Sequence, residues 1–161
     1  MKQVFKIIQI TAFFLLVTSC INQSEKKENK LEVKEAIETS KKNEDVLNND
    51  WMDDIVLDND VKWNANIETT QGVIAMLKLI NESHLKTVDD YHVLANNLNT
   101  IKNTVVKECT MKGASHDNLH IFLHPLIEKI NHLLKVTSTE EGVLTKESIK
   151  ENLTAYKNYF Q

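Results

Sequence analysis

The sequence predicts an all-α protein: an antiparallel four-helix bundle after a short extended or hairpin lead-in and a disordered tether. Three observations carry that expectation. Apolar residues recur at helical spacing in four segments after residue 65. Short links join segments of similar length, the pattern of up-down neighbours. Those segments amount to about a hundred residues, enough for one hydrophobic core and only one.

In chain order, residues 2 to 20 read KQVFKIIQITAFFLLVTSC. Lys2 and Lys6 precede an apolar run from Ile7 to Val17 that is broken only by Gln9 and Thr11. About eleven residues are too few to cross a hydrocarbon core that needs about twenty, and a charged start before a short apolar run marks a signal segment. The ending Val17-Thr18-Ser19-Cys20 resembles the lipobox of bacterial lipoprotein precursors, in which a cysteine after small residues is lipidated before cleavage in front of it. The resemblance implies a signal peptide over residues 1–19 and a lipid on Cys20. It also implies attachment, without spanning, on the outer side of the cytoplasmic membrane or in the outer membrane. Several acyl chains anchor stably where one binds only marginally. Ile21 stands where an aspartate retains some lipoproteins in the inner membrane, which favours the outer membrane in a host that has one.

Lipidation also accounts for the cysteines. Of the 2 in the chain, Cys20 is taken by lipid and Cys109 is left alone, so no internal disulfide forms. Without residues 1–19 the chain has 17 lysines, no arginine and 23 acidic residues, a formal charge of −6. Such acidity, without the bidentate guanidinium fork, argues against nucleic acid as a partner.

Residues 20–49 form the tether. The stretch INQSEKKENKLEVKEAIETSKKNEDVLNN is dominated by Lys, Glu, Asn and Ser and has too little apolar surface to offset chain entropy. Residues 50–64 form the lead-in, where Ile55-Val56-Leu57 and Val61-Lys62-Trp63 flank the turn-forming Asp58-Asn59-Asp60. Trp51 and Trp63 are expected to pack against the following domain.

The bundle occupies residues 65–161. Its first helix, about Ile67 to His84, places Thr69, Val73, Met76, Leu77, Ile80 and His84 on one face. The second starts at an N-cap Thr87 with Asp89 and Asp90 in its first turn and runs to about Cys109. The third, about Ser115 to Val136, buries Leu119, Phe122, Leu123, Leu126, Ile127, Ile130 and Leu134, with Pro125 expected to kink it. The fourth, about Lys146 to Phe160 after a capping Thr145, buries Ile149, Leu153, Tyr156 and Phe160.

Between the second and third helices the chain reads ECTMKGASHDNLHIFLH, from Glu108 to His124. His116 and His120 lie one turn apart on one flank, and His124 turns farther out. Cys109 and Met111 sit in the preceding link. Thiol, thioether and imidazoles are soft and borderline donors, so Cys109, Met111, His116 and His120 form a candidate site for copper first and zinc second. Glu68, from the start of the first helix at the same end of the bundle, and His124 are possible additional ligands. The alternative is structural: Cys109 as a small buried hydrophobe, Met111 as a plug and the histidines solvated.

Other chemistries fit less well. His116-Asp117-Asn118-Leu119-His120 has aspartate where a zinc protease motif has glutamate, and no third ligand follows. A cysteine hydrolase on Cys109 lacks an orienting arrangement, so the expectation is a protein without enzymatic activity. Met76 paired with His120 or His124 is a possible haem arrangement. Residues 55–135, with Lys62-Trp63, Glu68-Thr69-Thr70 and Gly72 ahead of Cys109 to Gly113, His116 and His120, look similar to small uncharacterised bacterial lipoproteins with a helical domain, which implies no named activity. The competing functional expectation is an interaction or adaptor module that binds an envelope partner.

Overall fold

Each apolar stripe read from the sequence becomes the inner side of a helix. The computed structural model describes residues 45–161; the leader expected over residues 1–19, the lipidation expected at Cys20 and the expected tether up to residue 44 lie outside the described residues. The helices are α1 (Ile67–Glu82), α2 (Val88–Glu108), α3 (Ala114–Leu133) and α4 (Thr139–Tyr159). They pack as an all-α bundle in which α1 neighbours α2 and α4, and α3 neighbours α2 and α4. No strand occurs among the described residues, and no helix among them is long and apolar enough to cross a membrane.

The caps explain where the helices begin. Thr87 accepts from the Asp90 N–H, and Asp90 returns the bond to the Thr87 N–H, closing a capping box at the expected start of α2. The start of α4 differs from expectation. It lies at Ser138, whose side chain accepts from the Glu141 N–H, so the helix begins about two turns earlier than a cap at Thr145 would place it. Thr145 is instead a buried helical residue that donates to the Glu141 carbonyl. Gly142 obscures this start by interrupting the helical pattern. It is needed because the Tyr91 ring packs on it, and a Cβ there would come within 2.7 Å of that ring. At the other end of α1, Ser83 turns extended, which leaves His84 exposed beyond the helix and off the core face. The third helix ends at Leu133, earlier than expected, and Leu133 is buried whereas the expected core residues Leu134 and Ile127 are half-buried. Pro125 is carried inside α3, where its missing N–H leaves the Ile121 carbonyl without its helical partner.

The lead-in is a short hairpin, as expected. Asp58 and Val61 exchange two backbone hydrogen bonds of 2.9 and 3.0 Å, around Asn59 and Asp60, both at positive φ, the conformation of a tight primed turn. Ahead of it a 3-10 turn, Asp50–Asp53, buries Trp51. The Trp51 ring meets Phe122 edge-on at 5.6 Å and Tyr159 at 5.9 Å. Trp63 is half-buried, and its indole N–H donates to the Val56 carbonyl at 2.7 Å. Both tryptophans are therefore packing residues.

Residues 47 and 49, just ahead of the lead-in, bond to the bundle. Ser148 donates to the Leu47 carbonyl, and Asn49 joins α3 to α4. The Asn49 side-chain oxygen accepts from Lys129 Nζ and from the Trp51 indole N–H, the latter at 3.0 Å, while its amide donates to Glu151. Lys129 itself has no exposed surface and also donates to Asn152 Oδ1 at 3.3 Å. Among the described residues the side-chain oxygens of Asn49 and Asn152 hold this ammonium in the interior, where charge is costly.

Two predictions follow from packing. A Cβ on Gly72 of α1 would lie 2.1 Å from a methyl of the fully buried Val105 on α2, so Gly72→Ala is expected to destabilise the protein by about 1–3 kcal/mol through overpacking. Urea denaturation measures this, and Gly72→Ala combined with Val105→Ala should cost less than the sum of the two. Burial pushes the Lys129 ammonium down to about 8 from 10.5, opposed by Glu151. Between these values the unfolded chain holds more protons than the folded one, so stability rises with pH from about 8. Tyr156 reverses the trend only above its usual 10, because burial raises its phenol. Denaturation midpoints measured from pH 7 to 10 should show the rise in the wild type and lose it in Lys129→Met.

Candidate metal centre

The link from α2 to α3 builds the site. Cys109 leaves α2 in an extended conformation, and Gly113 starts α3 with φ of 63°, a left-handed value that favours glycine. Backbone N–H groups of His116 and Asp117 then bond the Gly113 carbonyl at 2.9 and 3.0 Å. Asn118 locks this first turn to the lead-in by accepting from the Val56 N–H at 3.0 Å and donating to the Ala114 carbonyl at 2.9 Å. His116 is thereby returned toward the residue that ended α2.

The outcome is a linear chain of side chains. Cys109 Sγ lies 3.7 Å from His116 Nδ1, the other ring nitrogen of His116 is 2.9 Å from His120 Nε2, and His120 Nδ1 is 3.3 Å from His124 Nε2. Successive rings meet edge to face at 4.4 and 5.3 Å. Cys109, Met111 and His116 are half-buried, whereas His120 and His124 are exposed. At about 100° per residue each step of four turns about 40° farther from the core, which is why the chain runs from the interior to solvent.

Neutral imidazole donates through one nitrogen and accepts through the other. The chain is therefore satisfied in two opposite senses. In one, the thiol donates to His116, His116 to His120 and His120 to His124. In the other, every bond reverses and the His116 Nδ1–H points at the sulfur.

The expected ligands are brought together in part. Cys109 and His116 are in contact, but His120 meets the far nitrogen of His116 instead of the thiol. Among the described residues no group of three or more His, Cys, Asp or Glu side chains is arranged to hold a metal ion; the Met111 sulfur is a donor of another kind in the same link. Glu68 does lie at this end, since Asn66 donates both to the Glu68 carboxylate at 2.8 Å and to the Glu108 carbonyl at 3.2 Å. It is exposed, and the Asn66 amide holds its carboxyl below the usual range. The pairing expected for haem is not formed, because Met76 is fully buried in the core while His120 and His124 stand outside it.

Sequence reasoning missed the polar seam behind the thiol. Thr70 and Tyr156 share a hydrogen bond of 3.0 Å, and Tyr156 lies close enough to Cys109 for a charge on sulfur to oppose ionisation of the phenol. Asn66 was also missed, although an asparagine just ahead of a helix is a recognisable cap signal.

Together the fold and this site define a helical bundle with a thiol–imidazole chain at one end. Comparison of the sequence and structure with protein-family models, curated proteins and solved structures finds no match.

Proposed function

We propose that the protein is a lipid-anchored cell-envelope protein that binds a soft transition metal, copper(I) first and zinc second, through Cys109 and His116. The observation that carries this reading is the 3.7 Å separation of Cys109 Sγ and His116 Nδ1. Zinc bonds of about 2.3 Å to sulfur and about 2.0–2.1 Å to nitrogen, at a tetrahedral angle, set these atoms about 3.6 Å apart. Met111 supplies a neutral soft donor from the same link. His120 serves the site from behind: a ligating imidazole usually donates its other N–H to a fixed partner, and His120 Nε2 is 2.9 Å from that nitrogen of His116. Thiolate and thioether donors favour copper(I) over hard cations. The metal supplies Lewis acidity or a cargo to be passed on; the chain's own part is to present the sulfur and to orient one ring.

The lipid anchor rests on the sequence from Lys2 to Cys20. An adaptor role for the bundle, without metal, is the competing reading.

Copper(I) affinity, measured anaerobically by competition with a chromophoric chelator, tests the metal reading. Cys109→Ala and His116→Ala should each weaken binding by at least about 100-fold, and His120→Ala by about 10-fold as expected for a supporting partner. Equal affinity in the wild type and Cys109→Ala would leave the adaptor reading. For the anchor, cells fed radiolabelled palmitate should label the wild-type protein, and Cys20→Ser should abolish both label and membrane retention.

A further inference from the structure

The outer half of the imidazole chain has a geometry of its own. His120 and His124 are exposed one helical turn apart on α3, with Nδ1 of one 3.3 Å from Nε2 of the other. Two nitrogens bound tetrahedrally to one ion at about 2.0–2.1 Å stand about 3.3 Å apart, so the pair already has the span of a metal-bound edge. The inner pair, at 2.9 Å, is closer to a hydrogen bond. Both rings are carried on the continuous helix α3, so closing a chelate costs little chain entropy. Exposed Glu128 lies one turn farther along the same flank, adding negative charge near an incoming cation.

We infer that His120 and His124 form a second metal site, on the outside of α3, for zinc(II), whose tetrahedral geometry matches their separation. Imidazole nitrogen without sulfur suits this ion and selects against copper(I) relative to the thiol site. Water fills the remaining positions. An ion on His120 Nδ1 obliges that ring to donate through Nε2, which sets the chain in the sense that points the His116 N–H at sulfur. The outer ion and a metal on His116 Nδ1 therefore favour opposite tautomers of the same rings.

The inference does not depend on the thiol site, and its test removes that site. Full-length protein carrying Cys109→Ser is titrated with zinc(II) by isothermal calorimetry, with circular dichroism confirming that each variant keeps its helices. One equivalent should bind, and adding His124→Ala or, separately, His120→Gln should weaken it by at least about 10-fold, in line with the loss of one chelating arm. Adding His84→Ala, whose ring lies beyond α1, should change nothing. Absence of binding in Cys109→Ser, or retention of full affinity after both His120 and His124 are replaced, overturns the inference. Loss of copper(I) binding in the wild type would overturn only the thiol site.

Discussion

The rotation of α3 about its own axis is the constraint on which the molecule depends. Leu119, Phe122, Leu126, Ile130 and Leu133 on this helix have no exposed surface, and each fully buried aliphatic or aromatic side chain contributes on the order of 1.5–3 kcal/mol. Phe122 is the centre of that contact. Its ring meets Trp51 of the lead-in, Tyr156 of α4 and Phe160 of the C-terminal segment at 5.6, 5.2 and 6.2 Å. A turn of α3 by one residue would withdraw Phe122 from all three, so the helix has one rotational setting. That setting places positions 116, 120 and 124 on a flank that rises out of the core, and the imidazole chain is its by-product.

Much of this was legible because burial follows period. The stripe of α3, the Thr87 cap and the turn at Gly113 could be read directly, since each is set by residues within a turn of one another. The start of α4 was not, although Ser138-Thr139-Glu140-Glu141 carries a cap signal. Gly142 weakened the helical pattern there, and its reason lies on another helix, in the Tyr91 ring. Lys129 was also passed over. It sits three residues after Leu126 and four before Leu133, a core position by spacing, but a lysine at such a place reads as an edge residue until Asn49 and Asn152 are seen to surround it.

The candidate site shows the same division. Proximity of Cys109 and His116 follows from a tight link between antiparallel helices, and the sequence indicated it. Which nitrogen of which ring faces which neighbour depends on side-chain torsions that no spacing encodes. That detail separates a single cluster of four ligands from a linear chain in which His116 uses both nitrogens. It also assigns His120 a supporting place beside His116 and a ligating place toward His124.

At the same end of the bundle as the link from α2 to α3, the chain entering α1 and the chain leaving α4 are sewn together. Trp63 and Phe160 form a parallel bridge, with the Trp63 N–H on the Tyr159 carbonyl at 2.8 Å and the Gln161 N–H on the Trp63 carbonyl at 3.0 Å. Ala65 adds a bond to the Gln161 carbonyl at 3.0 Å, and the Tyr159 hydroxyl reaches Met52. In topological terms this seam joins the chain on either side of the four helices, so that the bundle is nearly a closed ring. A circular permutant opened in the short turn between α3 and α4, with residue 161 spliced to the lead-in, would keep every helix pairing while carrying its free ends at a different place on the surface.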